Sequence, residues 1–291
     1  DINRLSIGIQ SLDDRLLKLL GRRHDAKSAL ESINKVIKFG FSNISIDLMY
    51  GLPNQSLKDW NETLEIVLSL GLPHLSIYCL GLESGTPMQK SVELGELPKP
   101  DPDLAADMYE LTTEKLSNLN YRHYEISNWA KAGYESRHNI NYWENQSFLG
   151  LGPGAHSYIS GMRFSNIKSP REYILRLNNN NKSISAAKSL KDISQVIDQI
   201  ENISTTTEIL DTLMMGLRLD TGISEKKYFS RFGHSLDKKW HSTITSTVTD
   251  GLIKWSEDSN KDLHNRSLQL TEKGKILSNE VLARFFAASE N

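Results

Sequence analysis

Residues 138–143 combine side-chain types and spacing that point to ligand chemistry. They read HNINYW, so one imidazole, His138, stands within five positions of a phenol, Tyr142, and an indole, Trp143, with Asn139 beside it. An imidazole nitrogen ligates metals, and large amphipathic rings can cover the face of a flat ligand. The hexamer therefore favours a flat, metal-bearing aromatic ligand. The alternative roles for His138 are those of a general base and of a structural histidine.

The composition excludes several classes of site. The chain has 291 residues with 34 basic and 36 acidic side chains, a balance that gives no support to a nucleic-acid or membrane-surface role. The single cysteine, Cys79, excludes an intrachain disulfide and any multi-cysteine metal site built from this chain alone. It fits a reducing, cytoplasmic environment, and its alternation with Leu75 and Ile77 predicts that it packs on an apolar face.

Four segments are predicted to be strands with one apolar and one polar face. They are 4–10, 43–49, 74–80 and 122–127, and amphipathic helical stretches separate the first three. Ser56 and Asp59 match the capping box that starts the second of these helices. Strands that alternate with helices are typical of parallel βα units. We therefore predict an α/β fold in which the apolar faces pack under the helices and the polar faces line the lumen of a partial (β/α) TIM-like barrel. The predicted lumen residues are Ser6, Gln10, Ser45, Asp47, Tyr78 and Glu125.

Three polar residues near the strand ends are candidates for ligand contacts. Asp47, at the end of the second strand, fits a ligand contact and a structural carboxylate equally well. Gln10 ends the first strand, where capping the next helix is slightly favoured over binding. Arg22 follows a short helix and suits a carboxylate or phosphate clamp, but a surface cation at a helix C-terminus is favoured from the residues alone.

The last 91 residues carry 12 basic and 13 acidic side chains. Their helical segments, followed by short strands and a terminal helix, resemble a small winged-helix domain. The near-neutral balance disfavours DNA binding. The polar stretch 178–185, NNNNKSIS, predicts an interdomain loop. The predicted regions are 1–165, a partial barrel with the aromatic hexamer; 166–204, a linker and helical connection; and 205–291, the winged-helix-like domain.

Several motifs together resemble one protein family. In chain order they are NRLSIGIQS, LGRRH, IDLMYGLPNQS, ESGTP, DMYE, YEISNWAKAGYESRHNINYW and GLGPGAHS. Their order and spacing are similar to those of the oxygen-independent coproporphyrinogen III oxidase-like radical S-adenosylmethionine (SAM) family, and within it to the HemW-type haem chaperones. The resemblance extends over essentially the whole chain.

The resemblance implies two cofactors, SAM and a [4Fe–4S] cluster. It implies that Gln10, Arg22 and Asp47 contact SAM. It also associates four residues of the hexamer with haem, namely His138, Asn139, Tyr142 and Trp143.

One departure from the family pattern is severe. The family carries a CxxxCxxC loop whose thiolates hold the cluster, and this sequence has no such loop. The first barrel strands are missing as well. We therefore interpret the chain as the later two-thirds of its parent protein, with a barrel incomplete on its N-terminal side and cluster ligands outside this chain.

Two functions follow from the resemblance. The first is a haem chaperone that binds haem, or another tetrapyrrole, and delivers it to an unidentified acceptor protein, with a membrane-associated acceptor among the candidates. The alternative is an oxygen-independent coproporphyrinogen III oxidase that uses a 5′-deoxyadenosyl radical to decarboxylate propionate side chains. The HNINYW element favours the chaperone, and no nucleic acid is expected as a partner.

Overall fold

The computed structural model describes residues 2–178, 194–256 and 265–289. By compactness the chain divides into two units, Asp1–Ser136 and Arg137–Asn291. The loop predicted at 178–185 lies, after Asn178, outside the described residues. The three regions proposed from sequence stay a prediction.

The first unit contains an open five-stranded sheet, and the α/β prediction is confirmed. Strands β1, β2 and β3 run parallel, as predicted. The prediction missed β5, which lies antiparallel between β3 and β4, because the chain turns back directly after β4. Within the described residues the sheet does not close into a barrel. The strands are β1 Leu5–Gln10, β2 Ile44–Tyr50, β3 His74–Cys79, β4 Arg122–Glu125 and β5 Asn128–Ala130.

Helices connect the parallel strands of this unit. The helix after β2 begins with the predicted capping box: Asp59 N donates to Ser56 Oγ over 3.1 Å, and Ser56 N donates to Asp59 Oδ2 over 2.8 Å. The buried indole of Trp60 then donates to Met108 O and Thr112 Oγ1, joining two helices. The helices are α1 Asp14–Leu19, α2 Ala26–Lys38, α3 Leu57–Ser69, α4 Pro87–Glu93 and α5 Pro102–Asn118.

The two faces of the sheet differ as the alternation predicts. Ile46, Leu48 and Ile77 are at most 1% exposed in the core formed with the helices. Burial of such side chains is the main stabilising contribution to a fold of this kind. The prediction that Cys79 packs on this face is wrong: Cys79 is the last residue of β3 and is exposed.

A buried hydrogen-bonded histidine lies on the polar face. His74 Nδ1 is 2.7 Å from Ser45 Oγ, and its Nε2 is 2.8 Å from Tyr124 Oη. His74 is only 1% exposed. Burial, with a smaller effect of the Arg4 charge, lowers the pKa of His74 from 6.5 to about 3.

This histidine predicts an acid-sensitive fold. Because the unfolded chain binds the proton near pH 6.5 and the folded chain only near pH 3, stability is complete above pH 6.5 and falls as the pH drops through this window. Between pH 7 and pH 5 we expect a loss of about 2 kcal/mol in the free energy of unfolding. Urea denaturation at both pH values should show this loss in the parent protein and in a His241→Gln control, whose side chain is 76% exposed. His74→Gln should lose most of it, and an unchanged pH dependence in that variant would contradict the assignment.

The second unit combines two three-stranded antiparallel sheets with helices. The sheet orders are β6-β7-β8 and β10-β11-β9. Its core includes Leu213, Trp240, Leu268 and Phe285. The strands are β6 His156–Ile159, β7 Met162–Asn166, β8 Ile197–Asn202, β9 Ile223–Ser224, β10 Ile253–Trp255 and β11 Ser267–Leu270. The helices are α6 Arg137–Trp143, α7 Pro170–Asn178, α8 Thr205–Gly216, α9 Glu225–Phe232, α10 Leu236–Thr249, α11 Glu272–Ile276 and α12 Ser278–Ser289.

None of the helices in the described ranges combines the length and the apolar character that crossing a bilayer requires.

Candidate functional site

The end of β1 has an irregular backbone. Gly8 pairs with Asp47, but Gln10 pairs with Leu48, so the register shifts by a bulge, and Gln10 adopts a left-handed φ of 67°. Bulges re-aim side chains at strand ends. The interpretation of Gln10 as a helix cap is wrong, because Asp13 caps α1 through the backbone amides of Arg15 and Leu16.

Gln10, Arg22 and Asp47 meet over Gly8. A Cβ atom built on Gly8 would lie 2.8 Å from Gln10 Nε2, 3.3 Å from Arg22 Nη2 and 3.9 Å from Asp47 Oδ2. Arg22 Nη2 also donates to Gly8 O over 2.9 Å. The missing side chain at Gly8 is therefore what allows an amide, a guanidinium and a carboxylate to converge.

The carboxylate in this group is held from one side. Ser6 Oγ donates to Asp47 Oδ1 over 2.9 Å, and Oδ2 is the oxygen nearer to Gly8. A carboxylate oxygen accepts hydroxyl and ammonium protons, and a guanidinium binds a carboxylate. We call Gly8, Gln10, Arg22 and Asp47 the Gly8 cluster, and its donors and acceptors suit a ligand with both charged and hydroxyl groups.

Sequence reasoning missed Gly8. The available signal was a glycine at an inward position of a strand, where it weakens the strand and often marks the close approach of another group. The predicted lumen set did not include it, because glycine carries no polar side chain.

A polar row continues across the sheet from the Gly8 cluster. Strand register places Asp47 beside Ser76, Ser76 beside Asn128, and Asn128 beside Glu125. Asn128 Nδ2 donates to Glu125 Oε1. Tyr78 lies on the same face, where burial first, and the nearby charges of Asp47 and Glu125 next, raise the pKa of its phenol. The polar face thus carries a hydrogen-bonding surface several residues wide.

Helix α6 carries the aromatic hexamer and divides it between two faces. His138 and Tyr142 are one helical turn apart, and Tyr142 Oη lies 2.9 Å from His138 Nε2. The Tyr142 ring also meets Phe148 edge-on, with ring centroids 4.6 Å apart. His138 is exposed, and Asn139 lies half-buried on the same helix.

Trp143 lies away from this pair. Five positions from His138 at 100° per residue, it projects about 140° around the helix axis. The Arg218 guanidinium lies over its ring at 5.3 Å from the centroid, a cation–π arrangement. The structure therefore brings His138 and Tyr142 together but does not place Trp143 beside them.

The glycine-rich loop that follows, 150–156, serves close backbone packing. A Cβ atom on Gly150 would lie 2.1 Å from His156 O, so only glycine fits there.

The described residues contain no group of three or more His, Cys, Asp or Glu side chains placed to hold a metal ion.

Comparison with known proteins identifies the family. A model of the radical SAM superfamily matches residues 1–67. The heme chaperone HemW of Bacillus subtilis strain 168 is 36% identical over 284 residues, which cover 98% of this chain and 69% of that protein. The chain belongs to the HemW family of radical SAM proteins.

Two further similarities accompany the match to HemW. The mouse protein named radical S-adenosyl methionine domain-containing protein 1, mitochondrial, is 47% identical over 155 residues, or 53% of this chain and 35% of that protein. The solved structure of the Escherichia coli coproporphyrinogen III oxidase HemN superposes with a TM-score of 0.72 at 19% identity, covering 98% of this chain and 64% of that one. The second similarity shows that this HemW-family chain shares the fold of HemN.

Proposed function

We propose that the intact protein is a cytoplasmic haem chaperone, which binds haem and passes it to an acceptor protein. The observation that carries this proposal is the similarity to a protein named heme chaperone over 98% of the chain. The exposed imidazole of His138 in the aromatic hexamer supports it, because it leaves a ring nitrogen at the surface of α6 for an incoming iron.

The Gly8 cluster is proposed to hold SAM. The guanidinium of Arg22 suits the methionyl carboxylate, and the Asp47 carboxylate suits the ribose hydroxyls. The convergence of three polar side chains over Gly8 supports a binding site whose donors and acceptors lie close to the strand backbone. A [4Fe–4S] cluster bound beside SAM would supply the electron for reductive cleavage of SAM. The cluster ligands are proposed to lie outside this chain, whose single cysteine cannot replace three thiolates.

This proposal predicts a specific defect for Gly8→Ala. The new methyl group would press on the Gln10 amide and the Arg22 guanidinium, which are flexible enough to move without disrupting the fold. Losing one well-placed hydrogen bond should weaken binding of S-adenosylhomocysteine about three- to tenfold. Calorimetry on the full-length protein measures this. Gly81→Ala is the matched control, since a Cβ there meets nothing within 4 Å, and equal affinities for both variants would contradict the proposal.

The haem contacts are proposed to come from α6. His138 would ligate or orient the iron, Tyr142 would orient the imidazole through the 2.9 Å contact, and Asn139 and Trp143 would contribute further contacts. His138 Nε2 meets iron only if it exchanges its contact with the phenol.

We also propose a partial barrel for the first unit and a winged-helix-like domain at the end of the chain. The parallel strands and outer helices of the first unit support a partial barrel. The order of helices α8 to α10 and strands β9 to β11 supports a winged-helix-like domain. Its near-neutral charge supports a role other than DNA binding.

One pair of assays tests the proposed function. Full-length protein is titrated anaerobically with haem while the Soret band is followed, and then assayed for coproporphyrinogen III decarboxylation with SAM and a reductant. We expect stoichiometric haem uptake without decarboxylation. Sustained decarboxylation without haem uptake would identify an oxidase and overturn the proposal.

A further inference from the structure

Three aromatic rings form a continuous row from α6 into the segment that follows it. The imidazole of His138 meets the phenol of Tyr142 edge-on, with ring centroids 4.7 Å apart, and Tyr142 meets Phe148 edge-on at 4.6 Å. Edge-to-face contacts of this kind are favourable between aromatic rings. All three residues belong to the Arg137–Asn291 unit. The candidate iron ligand is thereby connected to the chain beyond its helix.

Backbone hydrogen bonds hold this following segment in place. Gln146 N donates to Asn141 O over 3.0 Å, which ties the segment to the last turn of α6. Phe148 and Tyr158 then exchange two hydrogen bonds, of 2.8 and 3.0 Å, which tie it to β6. The ring of Phe148 therefore lies between two fixed elements, and the row of rings is preformed.

Two leucines directly after Phe148 are exposed. Leu149 is 50% exposed and Leu151 is 81% exposed. The backbone that carries them is anchored, because Asn166 Nδ2 donates to Gly152 O over 2.8 Å. Apolar side chains that are held together at the surface mark an interaction site more often than single exposed ones do.

A lysine lies beside the same loop. A Cβ atom built on Gly154 would lie 3.9 Å from Lys168 Cγ, so the aliphatic stem of Lys168 runs along the loop. Lys168 is exposed and has no ion-pair partner among residues 2–178, 194–256 and 265–289. An apolar surface bordered by an ammonium group suits a flat ligand that carries carboxylates.

We propose that this surface is an apolar platform for the macrocycle of haem, with the iron at His138 and a propionate at Lys168. The inference rests on the proposed function and deepens it, because it names residues outside the aromatic hexamer that recognise the cargo. Contact between exposed leucines and the macrocycle removes apolar surface of both from water. The residues of the apolar platform are Tyr142, Phe148, Leu149 and Leu151.

The platform recognises the ring, whereas His138 acts through the iron. Both belong to one surface, because the row of edge-on contacts runs from His138 through Tyr142 to Phe148. Ring recognition alone is sufficient to bind a porphyrin that has no iron. Two kinds of attachment suit a carrier, because one can hold the cargo while the other is released.

Three ligands separate these contacts in the full-length protein: haem, iron-free protoporphyrin IX and haem dimethyl ester. The double variant Leu149→Ser/Leu151→Ser should weaken all three about tenfold, because it removes apolar contact with the ring. Lys168→Glu should weaken haem and protoporphyrin about three- to tenfold, as expected for reversing one exposed ion pair. It should leave the ester unchanged, because that ligand has no free carboxylate. The Soret band follows each titration.

Two matched variants serve as controls. Ile276→Ser on α11 replaces another exposed apolar side chain of the same unit, 49% exposed, and Lys254→Glu on β10 reverses another exposed lysine. Both should bind all three ligands as the parent does. Urea denaturation reports the stability of every variant, and the double leucine variant should be as stable as the parent, since it exchanges exposed side chains.

The outcomes that contradict the platform are distinct from those that contradict the proposed function. Parent-like protoporphyrin affinity in the double leucine variant, while the parent binds haem, would overturn the platform and leave the chaperone proposal standing. A loss of stability without a loss of affinity would likewise overturn it, because Leu149 and Leu151 would then pack against the protein rather than the cargo. Equal effects of Lys168→Glu on haem and on the ester would exclude a propionate at Lys168. If the parent binds no haem at all, the proposed function fails and the platform with it.

Discussion

Replacing Asp47 with alanine should weaken binding of S-adenosylhomocysteine by about tenfold to a hundredfold while leaving the fold intact. The carboxylate is half-buried, is held by Ser6 through Oδ1, and presents Oδ2 toward Gly8. A hydrogen bond to a charged group contributes about 1.5–3 kcal/mol, which corresponds to this range of affinity. Because Asp47 meets solvent on the polar face rather than the helical core, truncation should leave the packing of β2 undisturbed.

Calorimetry with the full-length protein measures this effect, and urea denaturation reports the stability. Asp107→Ala on the exposed surface of α5 removes a carboxylate from the same unit and should leave affinity unchanged. Asp47→Asn should fall between the parent and the alanine variant, since it keeps one acceptor oxygen but loses the charge. An unchanged affinity in Asp47→Ala would remove this carboxylate from the binding site.

Replacing His138 with alanine should weaken haem binding at least about tenfold and change the Soret spectrum of the remaining complex. The imidazole is exposed, and Tyr142 Oη holds its Nε2 at 2.9 Å. Loss of an iron ligand alters the electronic spectrum of haem directly, which a merely structural change does not. Iron-free protoporphyrin should bind the variant as it binds the parent, because it has no iron for His138 to hold.

The control is His241→Ala, which removes another exposed imidazole from the same unit. It should bind haem with the parent spectrum. A parent-like Soret band and affinity in His138→Ala would show that another group ligates the iron.

Local patterns account for what the sequence predicted correctly. The alternation of apolar and polar residues located β1, β2 and β3, and the Ser56–Asp59 pair located the start of α3. Each depends on residues within one turn or one strand, so the signal is contained in a short stretch. The motif resemblance joined Gln10, Arg22 and Asp47 before any geometry was known.

The missing features depend on contacts between distant segments. The insertion of β5 beside β3 pairs Asn128 with Ser76, which are 52 positions apart, and no local pattern encodes that choice. The role of Gly8 depends on Gln10 turning back through a left-handed φ. The separation of Trp143 from His138 follows from helix geometry, but the hexamer alone did not reveal that residues 137–143 form a helix.

Hydrogen–deuterium exchange of the full-length protein tests the assignment of two ligands to two sites most directly. S-adenosylhomocysteine should protect peptides over 5–10 and 44–50, and haem should protect peptides over 137–143. Protection of the same peptides by both ligands, or protection of neither set, would contradict the account.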